Sequence, residues 1–161
     1  MFGVWSHSLE HVVHLLVAFL LSLPIGWHQA REQRSACIRT FALVGMASCG
    51  VVQTAVAVIG PEVANQANVL QGVMTGIGFI GAGAIIRQGD YTTGNATAAS
   101  IWTVGIIGAA VGYGYFDIGF ILAAANLAVL IFRAPRPVTR SEPSEVLGQK
   151  TVNSAPACDK P

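Results

Sequence analysis

His7, Glu10, His11 and His14 stand three and four residues apart near the start of the chain. On a helix that spacing turns the four side chains toward one face. There, imidazole nitrogens and a carboxylate could ligate a metal such as zinc. A plainer role competes: a ring with a polar tip is at home where a helix enters a membrane interface.

A second set of chemically able residues is Arg39, Thr40, Arg87, Asp90 and Thr97. Arg87 and Asp90 could form an ion pair or a ligand site at the mouth of a helix bundle. Their ordinary roles are a helix-end anchor and a turn residue. Thr97 and Ser100 open an apolar segment, where they can cap a helix or bond across helices. Trp102 lies one turn inside that segment, where an aromatic belt would sit. Asn126 falls in the middle of the last apolar segment, and an amide in such surroundings needs a partner, most simply as helix-to-helix glue. Acid–base or nucleophilic catalysis needs positioned titratable groups. All four histidines precede Gln29, and no Ser/His pair or carboxylate pair lies inside the apolar segments. An intramembrane enzyme is not expected.

The elements that must carry these residues follow from charge. The chain has 161 residues, 53% hydrophobic and only 11% charged, against about 25% charged in an ordinary soluble domain. Between Phe41 and Phe132 the charges are Glu62, Arg87, Asp90 and Asp117 alone. Four charges cannot cover the surface of a soluble domain, and no run of Lys or Arg suggests a nucleic-acid stripe. The composition points to an all-α, polytopic membrane helix bundle in contact with lipid.

Five segments approach the length of a spanning helix: His11–Ile25, closed by Pro24-Ile25-Gly26; Phe41–Ile59, closed by Gly60-Pro61; Val69–Ile86; Ala96–Val111; and Ile118–Phe132. The Lys and Arg counts from the N-terminus through the successive connections to the tail are 0, 3, 0, 1, 0 and 5. Basic residues mark cytoplasmic loops, so about five spans with the N-terminus outside and the C-terminus inside are expected. The first eleven residues contain no Lys or Arg, which favours an uncleaved span over a signal peptide. Residues 1–132 form the expected helical domain. Residues 133–161, with five prolines among polar residues, read as a disordered cytoplasmic tail. Cys37, Cys49 and Cys158 form no disulfide framework.

The third span holds Gly72, Gly76, Gly78, Gly81 and Gly83, five glycines in twelve residues. In lipid, small residues let helix backbones approach closely. The alternative is a broken helix at residues 76–83 whose backbone lines a site. The Gly-x-Gly-x-x-Gly string at 76–81 lacks the preceding strand and following acidic residue of a dinucleotide site, so no cofactor is expected. Gly105, Gly108 and Gly112 continue the small-residue pattern in the fourth span.

The stretch Thr75-Gly76-Ile77-Gly78-Phe79-Ile80-Gly81-Ala82-Gly83-Ala84-Ile85-Ile86-Arg87, followed by Gly94-Asn95-Ala96-Thr97-Ala98-Ala99-Ser100-Ile101-Trp102, resembles the paired blocks of the MgtC/SapB family of bacterial inner-membrane proteins. Ala36-Cys37-Ile38-Arg39-Thr40 with Ala42-Leu43-Val44-Gly45, and Asn126 in the last span, match the same pattern. The resemblance covers roughly residues 16–133. The family places a Glu-Arg-Glu/Gln string two residues after the glycine matching Gly26, where this chain has His28, Gln29 and Ala30. The basic residue that usually precedes span three is Asn68 here, and a family Gln falls at Gly72. Longer members carry a soluble C-terminal domain, and this chain is expected to be a short form without one.

The resemblance implies an inner-membrane protein linked to magnesium limitation, acid stress and virulence. Some members are thought to bind and restrain another membrane protein, the proton-translocating ATP synthase. The expected function is therefore non-enzymatic regulation, with a homo-oligomer permitted. The runner-up is a transporter or channel for a small ion or solute. The expected partner or ligand residues are Arg39, Thr40, Gly76, Gly78, Gly81, Gly83, Arg87, Asp90, Thr97, Trp102 and Asn126.

Overall fold

A computed structural model describes residues 2–32, 38–60, 62–88 and 91–132. They form five helices and one hairpin: α1 (Phe2–Glu32), α2 (Ile38–Ile59), α3 (Val63–Gly83), β1 (Ile86–Gln88), β2 (Tyr91–Thr93), α4 (Asn95–Gly112) and α5 (Phe116–Ile131).

Three of the helices are long and apolar enough to cross a membrane: α1 over Ser8–Arg31, α2, and α4. α5 is apolar but shorter. α3 has the length, but Asn65, Gln66, Asn68 and Gln71 crowd its first half, which lowers its hydropathy.

The helix boundaries correct the sequence reading at three places. The first span does not close at Pro24: α1 runs through it to Glu32. Proline removes one helical bond but need not end a helix whose neighbours pack against it. Here Ile25 is fully buried, and a Cβ at Gly26 would lie 3.0 Å from Phe41 Cβ and 3.1 Å from the Ile38 carbonyl oxygen. α3 begins six residues before Val69 and is continuous to Gly83, so residues 76–83 are not a break. The polar hinge after α3 is an antiparallel hairpin pairing Ile86 with Thr93, Arg87 with Thr92 and Gln88 with Tyr91.

Glycine sets the turns. Gly60, Gly94 and Gly114 have φ of +80°, +89° and +86°, a region open to glycine without steric cost. At Gly94 the constraint is double, because a Cβ there would overlap the carbonyl oxygen of Ala84. That contact closes the hairpin back onto the end of α3 and launches α4.

α4 is the hub, packing on all four other helices. Its glycines make this possible. A Cβ at Gly108 would overlap the Gly45 carbonyl oxygen of α2, and one at Gly105 would overlap Ile77 of α3. A Cβ at Gly112 would lie 2.9 Å from the Cys49 carbonyl oxygen. Gly45 in turn is filled by Ser22 of α1, whose hydroxyl donates to the Ala18 carbonyl at 2.7 Å. These contacts run in one sense along α2 and α4, which are therefore parallel, while α1, α3 and α5 run the other way. The core between them holds Ile25, Phe41, Val44, Ile77, Val104 and Ile107.

The outside of the bundle is apolar. Leu16, Leu20, Leu43, Val58, Phe79, Phe120, Ile121 and Val129 are all exposed. A surface of this kind belongs in lipid or against another protein.

Candidate functional site

Two of the polar side chains that the bundle buries, Gln29 and Ser100, meet where the end of α1 packs on the start of α4. Gln29 is fully buried. Its Nε2 donates to Ser100 Oγ at 3.1 Å and to the Ala96 carbonyl at 3.3 Å. Ser100 Oγ then donates to Asn126 Oδ1 at 3.2 Å. Three helices are thus tied by one directional chain of donors, from α1 through α4 to α5. Each bond in such a chain polarises the next. Two atoms of the chain, Gln29 Oε1 and Asn126 Nδ2, are buried without a hydrogen-bond partner, as is Nδ1 of the adjacent His28.

Ser100 and Asn126 also line a cavity of about 340 Å³ between α4 and α5, with Ala96, Ala99, Thr103 and Ala125 among its walls. A second groove of about 380 Å³ lies between α2 and α3 and is almost wholly apolar. Leu43, Ala47 and Val51 form one wall, and Gly72, Gly76 and Ile80 form the other.

The glycines of α3 divide sharply. Gly81 packs on α4, where a Cβ would sit 3.3 Å from the Ala98 carbonyl oxygen. Gly72, Gly76, Gly78 and Gly83 have nothing within 4 Å of a Cβ. Close packing inside the chain therefore explains Gly81 and the α4 glycines, and leaves four α3 glycines facing outward.

The remaining sequence candidates are scattered. Arg39 is exposed and Thr40 half-buried in the first turn of α2. Arg87 is exposed on β1, opposite Thr92. Asp90 lies outside the described residues, so its pairing with Arg87 has no geometry here. Thr97 is buried, and Trp102 is exposed on the surface of α4.

At the opposite end, His14 Nδ1–H donates to the Glu10 carbonyl at 2.7 Å, and its ring stacks on Phe116 at 4.8 Å. Among the described residues no three His, Cys, Asp or Glu side chains converge on one point. The side chain of His7, and Cys37, Cys158 and the tail, lie outside the described residues. Near the same end, Tyr113 Oη donates to Gln66 Oε1 at 2.9 Å, and Gln66 Nε2 donates to the Gly60 carbonyl at 2.6 Å. Burial pushes the Tyr113 phenol above its ordinary value.

The sequence reading passed over Gln29, naming it only as a departure from the family's charged string. Its uncharged amide stands four residues beyond the expected span end at Ile25, and that position alone does not reveal burial.

A family model described as MgtC family matches residues 15–137. Protein SrpB of Synechococcus elongatus is 36% identical over 119 residues, 66% of this chain and 65% of that protein. The "Putative magnesium transporter YhiD" of Escherichia coli K12 is 29% identical over 127 residues, 75% of this chain and 59% of that protein. Protein MgtC of Salmonella typhimurium is 34% identical over 106 residues, 66% of this chain and 45% of that protein. The chain thus spans between about half and two thirds of the length of these relatives. No solved structure matches it.

Proposed function

This chain belongs to the MgtC family, and from that membership we propose that it is a non-enzymatic protein of the bacterial inner membrane that regulates another membrane protein during adaptation to low magnesium or acid stress. The proton-translocating ATP synthase is the regulated partner in this reading. The helices cross the membrane five times, with the N-terminus outside, so that Arg31, Arg39, Arg87 and the start of the tail lie on the cytoplasmic side, as the Lys and Arg distribution favours.

One observation carries the regulatory reading: Gly72 and Gly76 are exposed beside an apolar groove, and a Cβ at either would meet nothing within 4 Å among the described residues. Two small residues four apart let a foreign helix approach to backbone contact, and their own fold gains nothing from them. Leucine at Gly76 is therefore expected to leave the fold intact and to block capture of the partner. Affinity capture from native membranes, with and without magnesium starvation, tests this. Recovery of the same partner by Gly76→Leu and wild type would overturn it.

A second reading, transport of a small ion or solute, draws on the name borne by the relative YhiD and on the cavity beside the Gln29–Ser100–Asn126 chain. Against it, ion pathways place ionisable groups within spans, and among the described residues the charges other than Glu10 sit at helix ends and in the hairpin. Purified chain in liposomes decides the matter. Magnesium or proton flux that falls on Asp90→Ala favours transport, and no flux above empty liposomes favours regulation.

A further inference from the structure

One exposed stripe runs down α1. Leu9, Val13, Leu16, Leu20, Trp27 and Arg31 fall within about 40° of a single line along the helix, and all six are exposed. The first four present hydrocarbon to the outside. Leu9 and Trp27 are eighteen positions apart, about 27 Å along a helix, against a hydrocarbon core about 30 Å thick. Arg31 stands one turn further, about 6 Å on. With the apolar part of the stripe among acyl chains, the indole lies at their edge and the guanidinium at the level of the headgroups.

The guanidinium is held there. Its central carbon sits over the Trp27 ring, 5.1 Å from the centroid. That attraction draws on its charge and leaves its forked N–H donors, which match the oxygens of a phosphate in pairs. The charges around it have the same sign. Ile38 of α2 lies against Gly26 of α1, Gln29 bonds the Ala96 carbonyl of α4, and Gly81 of α3 packs on Ala98. Arg31, Arg39 and Arg87 therefore share one end of the bundle. Among the residues whose side chains are described, the carboxylates are Glu10, Glu62 and Asp117. All three lie at the other end, where His14 meets Phe116 and Tyr113 meets Gln66.

We propose that Trp27 and Arg31 form a binding site for an anionic phospholipid, with the glycerol and upper acyl region against the indole and the headgroup phosphate in the guanidinium fork. A zwitterionic lipid offers the same phosphate, but its ammonium is repelled by the arginines at this end. An anionic headgroup instead gains about fivefold in affinity for each arginine near the surface. Free phosphate lacks the apolar body that Trp27 contacts. The site rests on α1 crossing the membrane and is independent of what docks on α3.

The full chain in phosphatidylcholine nanodiscs tests the proposal, with Trp5→Phe and Trp102→Phe leaving Trp27 as the sole tryptophan. About a tenth of the lipid carries bromine high on its acyl chains, either as phosphatidylglycerol or as phosphatidylcholine, and quenching of Trp27 by each gives a ratio of affinities. Taking the ratio within each variant cancels any change in emission when the guanidinium leaves the indole. The parent is expected to favour phosphatidylglycerol by about fivefold or more. Arg31→Gln, with unchanged helicity, should lose more than half of that preference. Arg31→Lys keeps the charge without the fork and should fall between the two. Excess inorganic phosphate should leave the quenching unchanged. Equal quenching by the two lipids in the parent, an unchanged ratio in Arg31→Gln, or displacement by phosphate would overturn the proposal. Absence of quenching by either lipid would overturn it together with the span of α1.

Discussion

Gly108 of α4 lies so close to Gly45 of α2 that a Cβ at position 108 would overlap the Gly45 carbonyl oxygen. This backbone-on-backbone contact joins the two parallel helices at the centre of the bundle. Gly108→Ala must push α2 and α4 apart, at a cost of about 1–3 kcal/mol. Gly72→Ala meets nothing within 4 Å and should leave stability unchanged or slightly raised. Thermal unfolding of both variants in one detergent checks the contrast, and equal losses would contradict the assigned contacts.

The polar chain predicts an inverted order of damage. Ser100→Ala is a small change, yet it takes the donor from Asn126 Oδ1 and an acceptor from Gln29 Nε2. Stranding buried groups costs about 1–3 kcal/mol. Gln29→Leu is chemically larger, but it removes a donor together with the unpartnered Oε1 and leaves the Ser100–Asn126 bond in place. It should cost less than Ser100→Ala. Paired melting curves decide, and the reverse order would show that the chain does not act as drawn.

Gly94 and Gly60 separate backbone strain from collision. Both have positive φ, so alanine at either is strained by about 1–3 kcal/mol. Only at Gly94 does the added Cβ also meet the Ala84 carbonyl. Gly94→Ala should therefore open the hairpin, seen as faster amide exchange in residues 86–88 and 91–93, while Gly60→Ala leaves those amides as protected as in wild type.

The outward glycines give the fourth expectation. Gly76→Leu and Gly72→Leu should melt within about 0.5 kcal/mol of wild type, as surface substitutions do, whereas Gly105→Leu must displace Ile77 and should unfold well below it. A large loss in Gly76→Leu would mean that the face is used inside the chain.

The positions of α2, α4 and α5 were legible in the sequence, because apolar runs bounded by charges and by Gly60-Pro61 leave little choice. The end of α1 was not. Whether a helix continues past Pro24 depends on what packs on the turn that follows, here Phe41 and Ile38 of α2 against Gly26. The hairpin was hidden because pairing of Ile86 with Thr93 is a property of two segments together, and neither alone is long enough to read as a strand. The glycines are the sharpest case. Gly76 and Gly105 look alike in a list of small residues, yet one is open and the other is filled by Ile77. That difference lies in the rotation of each helix within the bundle. Asn126 could be picked out as needing a partner, but Gln29, at the far end of its chain, could not, since burial at a helix end depends on the helices that cover it.

The bundle is unequal in height. α1 has 31 residues and α5 has 16, which at 1.5 Å per residue are about 46 Å and 24 Å. A hydrocarbon core is about 30 Å thick. The first helix must lean or protrude, and the last falls about 6 Å short. On the proposed five-span topology, lipid beside α5 must compress, at a modest free-energy cost for each ångström of mismatch. On that topology the protein carries a dimple in its own bilayer, on the flank that bears Asn126. Membranes of different thickness will reward covering that flank to different degrees, so the physical state of the surrounding lipid becomes an input to how this protein associates.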